Sequence, residues 1–107
     1  MAVSNEAWSK FTDADYASAG ALCDASLINL NTGPRSGWTK DACKLRVYEP
    51  DGDLNRNGVH AAAAVLAGAR GGVDAPAAAK SAAARKLVRL YGEIHETAPD
   101  SLRRLAS

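Results

Sequence analysis

The stretch DGDLNRNGVHAAAAVL carries oxygen-bearing side chains at the spacing of a calcium loop. Asp53, Asn55 and Asn57 match the first, third and fifth ligand positions of an EF-hand loop, and Gly58 follows at the position of its glycine. The twelfth residue of such a loop must be a bidentate glutamate, but here it is Ala64. The sequence therefore leaves Asp53, Asn55 and Asn57 as weak metal ligands, and we expect neither a bound metal nor any other cofactor.

The same residues fit a polar corner that ends in a helix cap. With Asn55 as the N-cap, Leu54 and Val59 occupy the two positions whose side chains form a hydrophobic staple at the start of a helix. Asn57 and Gly58 then lie in the first turn, where weak helix formers cost little. This interpretation accounts for more of the residues than calcium binding does, and it predicts a strand-to-helix corner held by Asn55.

Other residues that could do chemistry lack the spacing that such chemistry requires. The acids from Glu49 to Asp53 lie beside Pro50 and Gly52 and are typical of a turn. No serine or cysteine lies in a nucleophile motif, so we expect that the protein is not an enzyme. A zinc site would have to combine four residues that show none of the short paired spacings of structural zinc sites, namely Cys23, Cys43, His60 and His95.

The composition favours one small domain with a thin core. The chain has 107 residues, of which 47% are hydrophobic but only 6% aromatic. We predict a single domain over residues 1–107, with residues 1–10 forming a lead that is flexible or ordered by a partner. Two cysteines without a C-x-x-C motif favour reduced, buried thiols of the kind found in a cytoplasm. A bridge between Cys23 and Cys43 stays open.

Charge is unevenly distributed along the chain. The formal net charge is +1, but residues 1–33 contain one base and four acids, whereas residues 34–107 contain twelve bases and eight acids. Such a division suits head-to-tail contact between copies. No apolar stretch is long enough to cross a membrane and the first residues lack a signal-peptide pattern, so we expect a soluble protein made in a cytoplasm.

The first half of the chain shows the patterns of one short helix and two strands. A capping box that begins at Thr12 predicts a helix over about residues 13–22. Residues 26–30 and the alternating segment CKLRV predict two strands that pair with each other, because a lone strand needs a partner. The inward-facing residues of the second strand are expected to be Cys43, Leu45 and Val47.

The second half of the chain is helical by its apolar spacing. The first of its helices is expected to bury Val59, Ala62, Ala63, Leu66 and Ala67. After a glycine-rich break, Asp74 as a cap and Pro76 in the first turn predict a helix over about residues 75–94. Its buried face is expected to contain Ala83, Leu87, Leu90, Tyr91 and Ile94. Pro99, with a cap at Asp100 or Ser101, predicts a last short helix that buries its leucines.

The fold class that follows is α+β and mostly helical. A short N-terminal helix and a small two-stranded β element precede two longer antiparallel helices and a short C-terminal helix. Basic residues are concentrated in the last third of the chain, where a nucleic-acid surface would use Arg85, Lys86, Arg89, Arg103 and Arg104. The second long helix begins APAAAKSAAA, which has few side chains that read bases, so a solvated helix face explains these cations better.

The sequence resembles a small domain of phages and prophages of actinobacteria. The resemblance rests on the segments LRVYEPDGDLNRNGVHAAAAVL, ARKLVRLY and PDSL, and on the earlier W…FTDADYASAGAL, so that it covers nearly the whole chain. That domain occurs alone or attached to head proteins, including head-maturation proteases. Arg46 departs from the pattern, in which a proline is expected at this place.

The resemblance implies a role in the phage head, with protein as the partner. It offers no catalytic residues to transfer, and it implies a minor capsid or decoration protein of the virion that binds the phage major capsid protein and copies of itself. The alternatives are a nucleic-acid-binding or regulatory phage protein, and a scaffold-like assembly factor present only in procapsids. At the interface we expect Trp8, Phe11, Trp38, Arg46 and Tyr48. The alternative for Trp8 and Trp38 is that they cover the small core.

Overall fold

The elements of the fold follow the predicted α+β class. The computed structural model describes residues 2–107, apart from the side chain of Arg70. In chain order the described elements are β1 (Val3–Ser4), α1 (Ala19–Asp24), β2 (Ser26–Asn29), β3 (Cys43–Arg46), β4 (Leu54–Asn55), α2 (Arg56–Leu66), α3 (Ala77–Glu93) and α4 (Asp100–Ala106). The chain divides into two compact units, a first unit Met1–Gly58 and a second unit Val59–Ser107.

The predicted strand pair is present in the first unit. β2 and β3 pair antiparallel, with Ser26 opposite Arg46 and Ile28 opposite Lys44. Val47 is fully buried and its backbone N–H donates to the Ala25 carbonyl at 2.9 Å. The predicted alternation fails at Leu45, which is only half-buried and has a φ of 63°. This left-handed conformation is rare in a strand, so the regular pleat does not continue through this residue.

The first helix has different bounds from those predicted. The Thr12 backbone N–H donates to the Asp15 carboxylate at 2.7 Å, as in the predicted capping box, but the box starts only a 3-10 turn at Asp13–Asp15. A second start follows at Ser18, whose side-chain oxygen accepts from the Ala21 N–H at 3.1 Å. Because Ser18 caps a new helix, the α-helix begins six residues later than Asp13, at Ala19.

The lead is part of the first unit. β1 pairs parallel with β4, with Val3 opposite Leu54 and Ser4 opposite Asn55. The Leu54 N–H donates to the Ala2 carbonyl at 3.2 Å. The sequence predicts that residues 1–10 are flexible or ordered by a partner; in the structure the backbone of Val3–Ser4 is hydrogen-bonded to a segment of the same chain about fifty residues away.

The second unit is helical, and α3 buries the predicted face. Ala83, Leu87 and Ile94 are almost completely buried, and Leu90 and Tyr91 nearly so. α3 ends through His95, which has a φ of 60°. The Glu96 N–H then donates to the Tyr91 carbonyl at 2.9 Å, which is the closing bond of a Schellman motif. At the other end Pro76 itself stands at the N-cap, so the prediction that Asp74 caps this helix is wrong.

The predicted apolar face of α2 is buried only in part. Val59, Ala62 and Ala63 are buried, whereas Leu66 is half-buried and Ala67 is exposed. The end of this face borders an open groove of about 350 Å³, whose other side includes Leu102 and Leu105 of α4. α4 has Pro99 at its N-cap and starts at Asp100. No helix of the described residues is both long and apolar enough to cross a membrane.

Candidate functional site

The corner around Asn55 is a helix cap, as predicted. The Asn55 side chain is completely buried. Its Oδ1 accepts from the Gly58 N–H at 2.7 Å, which is the bond of an N-cap to the third helical residue. Its Nδ2 donates to the Glu49 carboxylate at 2.8 Å and to the Glu6 carbonyl at 3.1 Å. Asn55 therefore ties together the lead, the turn before β4 and the start of α2.

These bonds leave no calcium loop of the EF-hand type. The Asn55 oxygen is engaged by the helix start, and the Asn57 amide donates to the Glu6 carbonyl at 3.0 Å. Asp53 lies instead with two other acids in a turn that we call the acidic turn, Glu49–Asp53. Leu54 and Val59 are each at most 1% exposed, and the staple between them stays a prediction.

The acidic turn is closed by its own backbone. The Glu49 N–H donates to the Asp53 carbonyl and the Gly52 N–H to the Glu49 carbonyl, each at 2.8 Å. The Asp51 carboxylate accepts from the Asp53 N–H at 3.0 Å. Carboxylate oxygens of Glu49, Asp51 and Asp53 lie within 4.8 Å of one another. The three acids thus lie together on one short segment. This segment is a turn, as the sequence predicts.

Three of the predicted interface residues, Trp8, Phe11 and Arg46, meet with Asp13 in what we call the Arg46 cluster. The Arg46 guanidinium lies 4.5 Å from the centre of the Trp8 ring, donates to the Phe11 carbonyl at 2.8 Å and pairs with the Asp13 carboxylate at 3.2 Å. The rings of Trp8 and Phe11 are 5.7 Å apart. All three predicted residues are half-buried and contact one another, so their first role is to hold the lead on the first unit.

Substitution of Arg46 is expected to loosen the lead. Arg46→Ala should lower the free energy of unfolding by about 2 kcal/mol, because it removes a cation–π contact and a charged hydrogen bond at a mostly buried site. Arg46→Lys should lose about half as much, since it keeps the charge but not the planar fork. Urea unfolding measures both. The control is Arg35→Ala, which removes an exposed ion pair with Asp24 and a cation–π contact with Trp38, and which should cost clearly less than Arg46→Ala. An equal loss in both variants would contradict this role.

Trp38 and Tyr48 lie outside the Arg46 cluster. The Trp38 indole N–H donates to the Gly33 carbonyl at 3.2 Å, and the Arg35 guanidinium lies 5.4 Å from its ring. Arg35 also forms two hydrogen bonds to Asp24, which lower the pKa of that carboxyl. Every aromatic side chain among residues 2–107 is at least half-buried. These rings therefore already have contacts within their own unit, and their role at an interface stays a prediction.

Sequence reasoning did not single out Tyr16. Its side chain is 3% exposed and packs with Leu22 and Ala25, and its hydroxyl donates to the Tyr48 carbonyl. The two tyrosines are 32 residues apart, and no local pattern indicates that they meet. Burial raises the pKa of Tyr16 and, in the second unit, that of Tyr91.

These two tyrosines are expected to make the protein sensitive to alkali. Their neutral forms are favoured in the folded state, so their contribution to stability is complete below the ordinary pKa of 10.0 and is lost as the pH rises through the raised values. The free energy of unfolding should be flat from about pH 8 to 9.5 and should fall above about pH 10. Urea unfolding over this range measures it. The fall should become shallower in the double variant Tyr16→Phe, Tyr91→Phe, and an unchanged slope would contradict the assignment.

The cysteines form a bridge and not two thiols. Cys23 of α1 and Cys43 of β3 are joined by a disulfide, with Cα atoms 5.1 Å apart. Both residues are buried, and the Asn31 side-chain amide lies 3.5 and 3.4 Å from the two sulfurs. The expectation of reduced thiols was wrong, because proximity in the fold and not motif spacing brings them together. The zinc hypothesis loses its two sulfur ligands, and His60 instead contacts the Glu96 carboxylate at 2.7 Å.

The predicted cations of the last two helices are all exposed. Arg85, Lys86 and Arg89 lie on α3, and Arg103 and Arg104 on α4. Arg103 pairs with Asp100 one turn earlier. The division of charge follows the two units, since the first contains six bases and eight acids and the second seven bases and four acids. The second unit therefore offers a positive surface and the first a mildly negative one.

Comparison with known proteins does not extend these observations. No protein-family model, no curated protein and no solved structure matches the chain.

Proposed function

We propose that the protein is a non-enzymatic structural protein of a phage virion, a minor capsid or decoration protein bound to the major capsid protein. The observation that carries the proposal is the resemblance of nearly the whole chain to the head-associated phage domain, above all in the segment LRVYEPDGDLNRNGVHAAAAVL. In the fold, residues of this segment form the capped corner and the acidic turn. Their roles are structural, which suits a domain that acts through its shape and surface.

The disulfide supports a function outside the host cell. Bridges of this kind persist in oxidising surroundings, including the surfaces of virions, and they are common where a small domain has a limited core. A virion protein is made in a reducing cytoplasm and then meets an oxidising medium after release. The Cys23–Cys43 bridge would stabilise it there.

The opposite charges of the two units support contacts with neighbouring copies in a lattice. A surface of mixed sign can pair with the complementary surface of the next molecule, and binding to a shell adds to the stability of a small domain. Major capsid protein and further copies of this chain are the partners that this proposal names.

Purified phage particles test the proposal directly. Quantitative mass spectrometry of mature particles should find the chain at a fixed ratio to the major capsid protein. A chain that is present in procapsids and lost from mature heads would make it an assembly factor. Absence from both kinds of particle, in infected cells that contain the chain, would overturn the proposal.

A second candidate function is favoured by the exposed cations of the second unit. Arg85 and Arg89 stand one turn apart on α3, and Arg104 is exposed on α4. A nucleic-acid-binding phage protein that uses them would bind DNA with an affinity that falls steeply with salt. Affinity for duplex DNA, measured between about 50 and 200 mM salt, separates the two functions. An affinity that does not change with salt would exclude the nucleic-acid-binding function.

A further inference from the structure

A groove of about 540 Å³ opens on the first unit next to the acidic turn. Its lining combines two tyrosines, two acids and two residues of the turn, namely Tyr16, Tyr48, Asp24, Glu49, Pro50 and Gly52, with alanines of the α1 region between them. No basic side chain is among the lining residues. The groove is thus walled by aromatic and acidic groups.

Glu49 gives this groove a buried carboxylate that has no ion-pair partner among the described residues. Its side chain is 5% exposed, and the hydrogen bond that it accepts comes from the neutral amide of Asn55. Burying a carboxylate without a positive partner costs free energy. A cation that enters the groove pairs with the carboxylate and offsets this cost, so its binding is favoured.

The neighbouring acids differ in what they can add. The Asp24 carboxylate already pairs with Arg35 through two hydrogen bonds, so it is largely neutralised. Asp51 and Asp53 place their carboxylates within 4.8 Å of that of Glu49, and Asp51 is exposed. The negative potential is therefore strongest at the end of the groove formed by the acidic turn.

The tyrosines add a second feature that suits an organic cation. The Tyr16 hydroxyl donates to the Tyr48 carbonyl, which fixes one ring relative to the backbone of the other residue. Tyrosine rings attract ammonium and guanidinium groups and also cover the apolar stems that carry them. A small inorganic ion would use the carboxylates but not the rings.

We propose that this groove binds a basic side chain, arginine or lysine, of a partner protein. The inference rests on the proposed function, in which the partner is the shell protein. It assigns the contact with that protein to the EPDG segment, residues 49–52. Glu49 pairs with the cation, the partly exposed Tyr48 packs on its stem, and Pro50 and Gly52 form the edge of the entrance. The EPDG segment thus recognises the partner in addition to its structural role in the corner around Asn55.

A titration of the isolated, ¹⁵N-labelled protein tests the groove. The probes are N-acetyl-arginine amide and its neutral isostere N-acetyl-citrulline amide, followed by NMR. The arginine derivative should give saturable shifts at the amides of Tyr48 and Gly52, with at least fivefold higher affinity than the citrulline derivative. Glu49→Gln keeps the size of the side chain and an acceptor for Asn55, and it should weaken arginine binding at least fivefold.

Two further variants keep the test decisive. Asp41→Asn removes one exposed negative charge of the same unit outside the lining of the groove, and it should bind arginine as the wild type does. Asp51→Asn should weaken binding about twofold or more, and it replaces Glu49→Gln if that variant does not fold. Equal binding of arginine and citrulline derivatives, equal losses in the Asp41 variant and the groove variants, or tight binding of Ca²⁺ at the same amides would each overturn the proposal.

The titration does not depend on the virion experiment. Failure of arginine binding would leave a chain found in particles as a virion protein with another contact. Absence from particles, with arginine binding intact, would leave the groove as a site for a basic partner outside the virion.

Discussion

Removal of the Cys23–Cys43 bridge is expected to lower the free energy of unfolding by about 3 kcal/mol. The bridge closes a loop with a sequence separation of 20 residues, and cross-links of this span restrict the unfolded chain by about that amount. It joins α1 to β3, so its loss affects the core of the first unit. Since small domains have a total stability of about 5–15 kcal/mol, the loss is a large fraction of the whole.

The measurement is urea unfolding of the wild type and of the double variant Cys23→Ala, Cys43→Ala. Reductant should lower the midpoint of the wild type to near that of the variant and should leave the variant unchanged. The double variant Cys23→Ser, Cys43→Ser controls for the size of the replacement at these buried positions. A wild type whose unfolding does not respond to reductant would contradict the prediction.

Asn55→Ala is expected to cost about 3 kcal/mol. The substitution removes the helix cap, worth about 1 kcal/mol, and leaves the buried Glu49 carboxylate without its amide donor, which costs about 1–3 kcal/mol more. It also frees the Glu6 carbonyl from one of its donors. The effect is larger than that of an ordinary cap because this one is completely buried.

Asn57→Ala is the matched control for this prediction. Asn57 is exposed, although its amide also donates to the Glu6 carbonyl. Its removal should change the free energy of unfolding by less than about 1 kcal/mol. Equal effects of the two substitutions, measured by urea unfolding, would show that Asn55 is not the centre of the corner.

The features that the sequence predicts correctly are those decided within a few residues. Asn55 caps the helix because its oxygen and the Gly58 N–H are three residues apart, and the same geometry recurs in helices of any fold. The buried face of α3 follows from the period of its apolar residues. The pairing of β2 with β3 follows because each strand has few alternatives.

The features that the sequence does not predict depend on distant contacts. Nothing near Cys23 indicates that Cys43 lies beside it, and the spacing of the pair fits no motif. Arg46 looks like an outward strand residue, but it packs on Trp8 because the lead returns to β3. Glu49 looks like a turn acid, and its burial becomes visible only when Asn55 and Tyr16 are placed around it.

The pairing of β1 with β4 has a consequence for the order in which the chain folds during synthesis. Val3 and Ser4 leave the ribosome before their partners Leu54 and Asn55, which follow about fifty residues later. The growing chain must therefore keep its first segment unpaired until the corner emerges. The hydrogen bond from the Asn55 amide to the Glu6 carbonyl forms only after this corner has been synthesised. Val3, Ser4 and Glu6 are thus among the last residues of this unit to make their native contacts.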